Sequence, residues 1–254
     1  MMQGAAAVEA VKPMPVRRGT SALARAAFGA RLVVDLQLLT CTRFLGPRLA
    51  LLEGDVLDVG CGEMPFRGLL GPRARYTGID VPAASDFGMT HNPDVLPFDG
   101  VTIPFSDARF AHVLCTEVLE HARAPEALVG EMMRVLKPGG TLVLTVPFAA
   151  RVHHAPHDYH RFTRYGVAQL LAGFADVRVE ERGDELAVIA NKLIVLTLRL
   201  ARLEARLLVR WPAVLLLAPV SAFALAVAHL SLRFAWGSRM DPLGYGAEAR
   251  KDAG

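Results

Sequence analysis

The chain has 254 residues, 52% of them hydrophobic and 21% charged, enough to bury one substantial core with an appendage rather than two equal domains. A net charge of +3 without dense Lys/Arg runs gives no footprint for a nucleic-acid partner, and none is expected. Cys41, Cys61 and Cys115 form no CxxC pair and no zinc spacing with histidine, which speaks against a disulfide framework and fits a reducing cytoplasm.

Residues 1–20 carry Lys12, Arg17 and Arg18 among small residues and prolines, with no long apolar run following at once, and read as a flexible tail. Over residues 21–52 the apolar positions Leu23, Ala27, Leu32, Val33, Leu36 and Leu39 recur at helical intervals, interrupted at Gly29 and stopped near Gly46-Pro47. One or two helices are expected there. The pattern then changes to short apolar runs bounded by turns, at residues 56–59, 76–80, 112–115 and 141–146, as in strands buried on both faces of a parallel sheet. A helix starts at Pro125, places Leu128, Met132, Val135 and Leu136 on one face, and meets a turn at Lys137-Pro138-Gly139-Gly140. This alternation predicts a doubly wound α/β fold, with further strands at 176–181 and 244–251.

The most informative segment is Val56-Leu57-Asp58-Val59-Gly60-Cys61-Gly62-Glu63-Met64-Pro65-Phe66: a strand ending in an acid, a glycine turn, then a helix start. Gly60 and Gly62 allow a tight turn and close approach of a ligand at the carboxyl end of the first strand. A dinucleotide enzyme would want a third glycine at position 65, where this chain has Pro65, so an NAD-dependent reductase is the weaker reading.

The segment resembles motif I of class I S-adenosylmethionine-dependent methyltransferases, of the type 11-like kind. The resemblance implies a Rossmann-like, seven-stranded sheet with S-adenosylmethionine as cofactor, its methionine part over the turn of Asp58, Gly60, Cys61 and Gly62. Met64 stands where the family often has its third glycine. Asp80, 18 residues after Gly62 and followed by Val81, matches the acid that binds both ribose hydroxyls. Asp99-Gly100 resembles the adenine-binding loop, with Asp94 as an alternative acid. Cys115-Thr116-Glu117-Val118-Leu119-Glu120-His121 matches the end of strand four, which adds Thr116 and Glu117 to the cofactor set. Each position also has an ordinary reading: Glu117 as a helix cap, and His121 as a packed side chain.

After strand five, His153-His154-Ala155-Pro156-His157-Asp158-Tyr159-His160-Arg161-Phe162-Thr163 resembles the His-x-x-Pro-x-Asp-Tyr-x-Arg-Phe-Thr loop of a bacterial methyltransferase subgroup. On a doubly wound sheet this loop emerges above the cofactor, where an acceptor would sit. His154 and His157 are the candidate general bases, with Asp158 to orient one of them, and Thr163 caps the next helix. Pro156 argues against a helix that would put His153 and His157 on one metal-binding face, and no metal is expected.

Residues 211–232 form a run of 22 without Asp, Glu, Lys or Arg, a length of ~33 Å if helical, against a bilayer core of ~30 Å. Pro212, Pro219, Ser221, His229 and Ser231 make it a poor anchor. Upstream, Lys192, Arg199, Arg202, Arg206 and Arg210 fall within one narrow arc of a helical wheel, away from Leu193, Ile194, Leu200 and Leu208; Val195 and Glu204 break the pattern. The expected organisation is a tail (1–20), N-terminal helices (21–52), a methyltransferase domain (53–191 plus 242–251) and an apolar helical insertion (192–236). The insertion is expected to hold the enzyme on the cytoplasmic membrane face without a single crossing, residues 211–232 dipping in and returning with a bend at Pro219 or lying flat beside the basic helix, since one crossing would strand the last strand outside; a helix packed on the domain or in a homodimer contact is the alternative. The expected activity is O- or C-methylation of a small or lipid-linked acceptor, against a non-catalytic, membrane-associated cofactor-binding protein.

Overall fold

The computed structural model describes residues 14–19, 21–82, 89, 92–202 and 207–254. In chain order the elements are α1 (Ala22–Val34), α2 (Leu36–Leu49), β1 (Gly54–Val59), β2 (Ala74–Asp80), β3 (Val95–Pro97), β4 (Phe110–Thr116), α3 (Pro125–Val135), β5 (Leu136–Pro147), α4 (Arg164–Leu170), β6 (Ala175–Arg182), α5 (Glu185–Arg202), α6 (Leu207–Phe234) and β7 (Gly244–Arg250). The seven strands lie in the order β3-β2-β1-β4-β5-β7-β6, all parallel except β7, which runs antiparallel to both neighbours. The order reverses beside β1, so the carboxyl ends of β1 and β4 open a crevice where a ligand can enter.

Register explains the two-sided burial. Leu57, Val113 and Leu142 stand side by side and face one core with α3's Leu128, Met132 and Val135, whereas Leu114 and Val143, one residue further along, face α2's Cys41, Phe44 and Leu45. The N-terminal helices are therefore one layer of the fold. Ser21 caps α1 through Ala24 N, and Asp35 caps α2 through Leu38 N.

Three local expectations are corrected and one strand is added. The helix expected to stop near Gly46-Pro47 runs to Leu49, because only the final turn follows Pro47 and Leu45 and Leu49 are buried. The turn at residues 137–140 is a bulge inside β5: Phe110 pairs with Leu136 and His112 with Thr141, so the intervening residues bow out of the ladder. Strand β3, three residues ending in proline, gave no periodic signal. The tail is fixed at its end, since Arg31 donates to Met14 O and Pro15 O, each at 2.8 Å, and Arg17 reaches Glu63 at 3.2 Å; residues 1–13 lie outside the described set.

Helices α5 and α6 form an antiparallel hairpin rooted on the sheet. At its foot Asp184, buried, caps α5 through Ala187 N and accepts Ser231 Oγ at 2.6 Å from α6, while higher up the Thr197 and Ser221 hydroxyls bond at 2.9 Å. Leu36, Ala187, Val188, Ala228 and Leu243 pack there as a third core cluster. Helix α6 is continuous from Leu207 to Phe234 through Pro212 and Pro219, so the chain is not broken at Pro219. Of the basic arc, Arg206 lies outside the described residues, as does Glu204.

Candidate active site

The glycine turn begins where β1 ends. Gly60 and Gly62 adopt φ of 70° and 51°, and Met64, in the place of the family's third glycine, adopts the same left-handed conformation at 52°. The backbone geometry is thus kept although the glycine is not, at a strain of ~1–2 kcal/mol for a residue with a Cβ. A Cβ on Gly60 would stand 2.4 Å from Val118 Cγ2, which fixes the identity of that residue.

Asp80 fastens the turn from β2: its Oδ2 accepts Gly62 N and its Oδ1 accepts Val81 N, both at 2.7 Å. Burial raises its carboxyl, and these two bonds oppose that rise. Asp58 is fully buried; Oδ2 accepts the Tyr76 hydroxyl at 2.7 Å, and Oδ1 has no partner among the described residues. Burial pushes its pKa up to about 7, against the Tyr76 bond and with the Asp80 charge adding to the rise. Gly100 brings the third loop against the second, since a Cβ there would lie 3.2 Å from Val81 Cγ1. Asp99 beside it is exposed, its Oδ1 accepting Val101 N and Thr102 N. Asp94 points to Arg67 at 3.6 Å.

A cavity of about 660 Å³ opens over the turn. It is lined by Gly60, Cys61, Gly62, Thr116 and Glu117, by the apolar Val34, Leu38, Ile194, Val195 and Leu198 of α1, α2 and α5, and by a wall of His121, His153 and His154. Met14, Pro15 and Val16 close one side, so the fixed end of the tail belongs to the site. Asp58, Asp80, Val81, Asp99 and Gly100 are not in this lining, although Asp80 joins its group to the turn through Gly62.

The acceptor loop divides by role. His154 lines the cavity at φ 53°. His157 does not: its Nδ1 lies 3.0 Å from the Tyr159 hydroxyl on an exposed surface. Asp158 orients neither candidate base. It takes both guanidinium nitrogens of Arg161 at 2.6 and 2.7 Å and accepts His153 N at 2.9 Å, so it ties the loop down. Burial works to raise the Asp158 carboxyl, and these bonds outweigh it and hold it low. Thr163 caps α4 through Gly166 N as expected. His121, read from sequence as a packed residue on a helix, sits on a short 3-10 turn, Leu119–His121, and faces the cavity. Burial depresses its pKa to about 4, so the ring is neutral near pH 7.

Two functional neighbours escaped the sequence. Arg182, at the end of β6, is buried and donates to Glu117 Oε1 at 2.7 Å, Val146 O at 3.0 Å and Tyr245 O at 3.1 Å. Glu117 therefore pairs with Arg182 instead of capping a helix, and its backbone is held at φ 53° beside the turn. In sequence Arg182 ends an alternating, charged strand that reads as a solvated edge. Glu120 is fully buried, with burial and the Glu117 charge raising its carboxyl well above the usual range.

A parallel sheet with a reversed seventh strand, a glycine turn after β1 and an acid ending β2 define a class I methyltransferase domain, the class whose cofactor is S-adenosylmethionine. Residues 57–144 match the family model described as "Methyltransferase domain". The chain is 29% identical over 140 residues to a sterol 24-C-methyltransferase of Eremothecium gossypii, covering 49% of this chain and 36% of that protein. It is 31% identical over 115 residues to the O-methyltransferase cnsE of Penicillium expansum, covering 41% and 42% respectively. The matches thus span well under half of those relatives' lengths. A likeness to the solved structure of the cyclase SpnF, with a TM-score of 0.54 and 22% identity over 86% of this chain and 82% of that one, bears on the fold alone.

The residues present suit that cofactor. Asp58 Oδ1, buried next to the turn and without a hydrogen-bond partner among the described residues, suits a ligand carrying an ammonium group, and the turn has no Cβ to block approach at Gly60 or Gly62.

Proposed function

We propose that the protein methylates an oxygen or carbon nucleophile on a small or lipid-linked acceptor while held at a membrane surface. The observation that carries the activity is one cavity lined together by the glycine turn, three histidines and an apolar set from α1, α2 and α5. S-adenosylmethionine supplies a methyl group already activated on a sulfonium. The protein's task is alignment, together with removal of the acceptor proton. In this reading residues 58–62, Asp80 and Val81 hold the methionine and ribose portions, Asp99 and Gly100 hold the adenine, and Thr116 and Glu117 complete the wall. His154, within the lining, takes the proton from an acceptor hydroxyl as its oxygen forms the bond to the methyl carbon and the carbon–sulfur pair returns to sulfur. The apolar set favours an acceptor with a hydrocarbon portion.

Calorimetry with S-adenosylhomocysteine tests the cofactor assignment. Wild-type protein binds it, and Asp80→Ala weakens binding by about 10- to 100-fold through the lost charged hydrogen bonds of ~1.5–3 kcal/mol. Undetectable wild-type binding, or unchanged affinity in the variant, removes the assignment. Incubation of labelled cofactor with lipid and glycan extracts then identifies the acceptor.

Support for membrane attachment comes from α6, where Trp211–Phe234 has the length and hydropathy of a spanning helix. Leu215, Leu216 and Phe223 are 68%, 70% and 71% exposed, and Trp211, Phe234 and Trp236 stand at the two ends as interfacial anchors. Exposed Lys192, Arg199 and Arg233 supply positive charge for anionic headgroups, although Lys192 also borders the cavity. Because α5 and α6 return together, the hairpin enters the interface as a unit and leaves β7 with the domain. The full chain is expected to sediment with membranes. A variant with residues 199–219 replaced by a short linker keeps the cavity wall, stays in the supernatant and still binds the nucleoside ligand. A full chain that is dispersed as a dimer without lipid makes the hairpin a subunit contact instead.

A further inference from the structure

The histidine wall has a hydrogen-bonding arrangement that its own residues leave incomplete. His121 Nδ1 lies 2.5 Å from His157 O, and His153 Nδ1 lies 3.0 Å from Arg151 O. A carbonyl oxygen only accepts, so both rings carry their proton on Nδ1 and present Nε2 as a lone pair. Those two lone pairs face one carboxylate oxygen, Glu120 Oε1, at 3.6 and 3.9 Å. Glu120 is completely buried, and neither of its oxygens has a hydrogen-bond partner among the described residues. Two imidazole acceptors thus converge on a carboxyl group that, protonated or not, lies too far from either ring to hydrogen-bond it, an arrangement that is costly in a protein interior.

We propose that Glu120, His121 and His153 are the ligands of a divalent first-row transition metal ion, with Zn²⁺ the occupant best suited to two imidazoles and a carboxylate. Bonds of ~2.0–2.2 Å put tetrahedral ligand atoms about 3.3–3.5 Å apart, against 3.6 and 3.9 Å for the two Glu120–histidine pairs and histidine nitrogens within 4.8 Å of one another, so closure requires small rotations of the side chains. The supporting contacts are those of a metal site. Each ring nitrogen opposite the ligating one is fixed by a carbonyl, and His153 Nδ1 also lies 3.4 Å from Asp158 Oδ2, which Arg161 holds. The Asp-x-x-Arg pair of the loop is thereby explained as support for His153. His154 has a ligand nitrogen within 4.8 Å of those of the other two histidines and stands in the cavity wall, at the open side of the tripod.

The metal site is independent of the methyl-transfer reading; the identity of what it faces rests on that reading. A metal with its open position toward the cavity attracts an anionic oxygen, so the acceptor class is a phenol, enol or carboxylic acid. The acceptor proton passes to His154 and the oxygen retains the electron pair that attacks the methyl carbon.

The test uses the full chain, stripped with a chelator and titrated with ZnSO₄ by calorimetry and with CoCl₂ by visible absorption. Binding at about one ion per chain is expected, with a cobalt spectrum of tetrahedral or five-coordinate type. Glu120→Gln and His153→Ala each weaken it by roughly 100-fold or more, beyond the tenfold to 100-fold typical of supporting residues. His160→Ala, whose ring bonds Ala122 O, leaves it unchanged. Infrared difference spectra give a further check: Zn²⁺ must remove the buried protonated-carboxyl band that Glu120→Gln also removes, while any band of the buried Asp58 stays. No bound ion, an octahedral cobalt spectrum, persistence of the Glu120 acid band with Zn²⁺, or equal affinity in the Glu120 and His153 variants overturns the site. Nucleoside binding, measured separately, reports on the methyltransferase reading.

Discussion

Replacing Arg182 by methionine is expected to lower the stability of the fold by about 3–5 kcal/mol, the usual cost of removing one partner from a buried ion pair. The side chain is 2% exposed and its donors serve Glu117, Val146 O, Tyr245 O and the Cys41 sulfur, the last at 2.6 Å, so its removal leaves groups from α2, β5 and β7 unsatisfied at once. Methionine fills similar volume but donates nothing. Thermal unfolding of the variant should show a midpoint lower by roughly 6–20 °C. Arg182→Lys should fall between, because an ammonium keeps the charge and loses the planar fork. A midpoint within about 2 °C of wild type would mean that the Glu117 pair adds nothing to the fold. The ion pair also holds Glu117 beside the glycine turn, so the methionine variant should bind S-adenosylhomocysteine more weakly even where it remains folded.

His154→Ala is expected to lower methyl transfer by ~10²–10⁴-fold, the typical contribution of a positioned general base, with affinity for S-adenosylhomocysteine within about twofold of wild type. The affinity is spared because the glycine turn and Asp80 are bonded to each other and not to the histidine wall. His157→Ala is the matched comparison. It lies three residues away in the same loop, but its ring bonds Tyr159 outside the cavity, so turnover should be retained. Single-turnover transfer of labelled methyl to the identified acceptor reads both. Equal losses in the two variants would assign the effect to loop folding; full activity in His154→Ala would leave the proton to another group.

The elements legible in sequence are those fixed by neighbours a few residues away. The first strand and its glycine turn, the acid closing the second strand, the helix opened by Pro125 and the Thr163 cap were all readable, because backbone sign, capping and periodicity are local properties. Met64 shows where that legibility stops. Its side chain broke the glycine pattern, yet its φ of 52° restores the same turn, and only coordinates reveal a conformation that costs little enough to be tolerated.

The division of labour in the acceptor loop was closed to sequence reading for a related reason. His153, His154 and His157 differ by the direction each ring takes after a non-helical loop folds over β4, and that direction depends on Glu120, Arg151 and Arg161. Arg182 and Glu117 are 65 positions apart and meet because β6 and β4 are brought to one edge by the reversed β7. The amino-acid order by itself determined the domain class and the place of the glycine turn, through short-range geometry that survives in any context. The tertiary structure alone decided which charges are removed from water. Burial is set by the whole sheet and its covering helices, and it turns Glu120 and Arg182 from ordinary surface-type residues into the groups that organise the site.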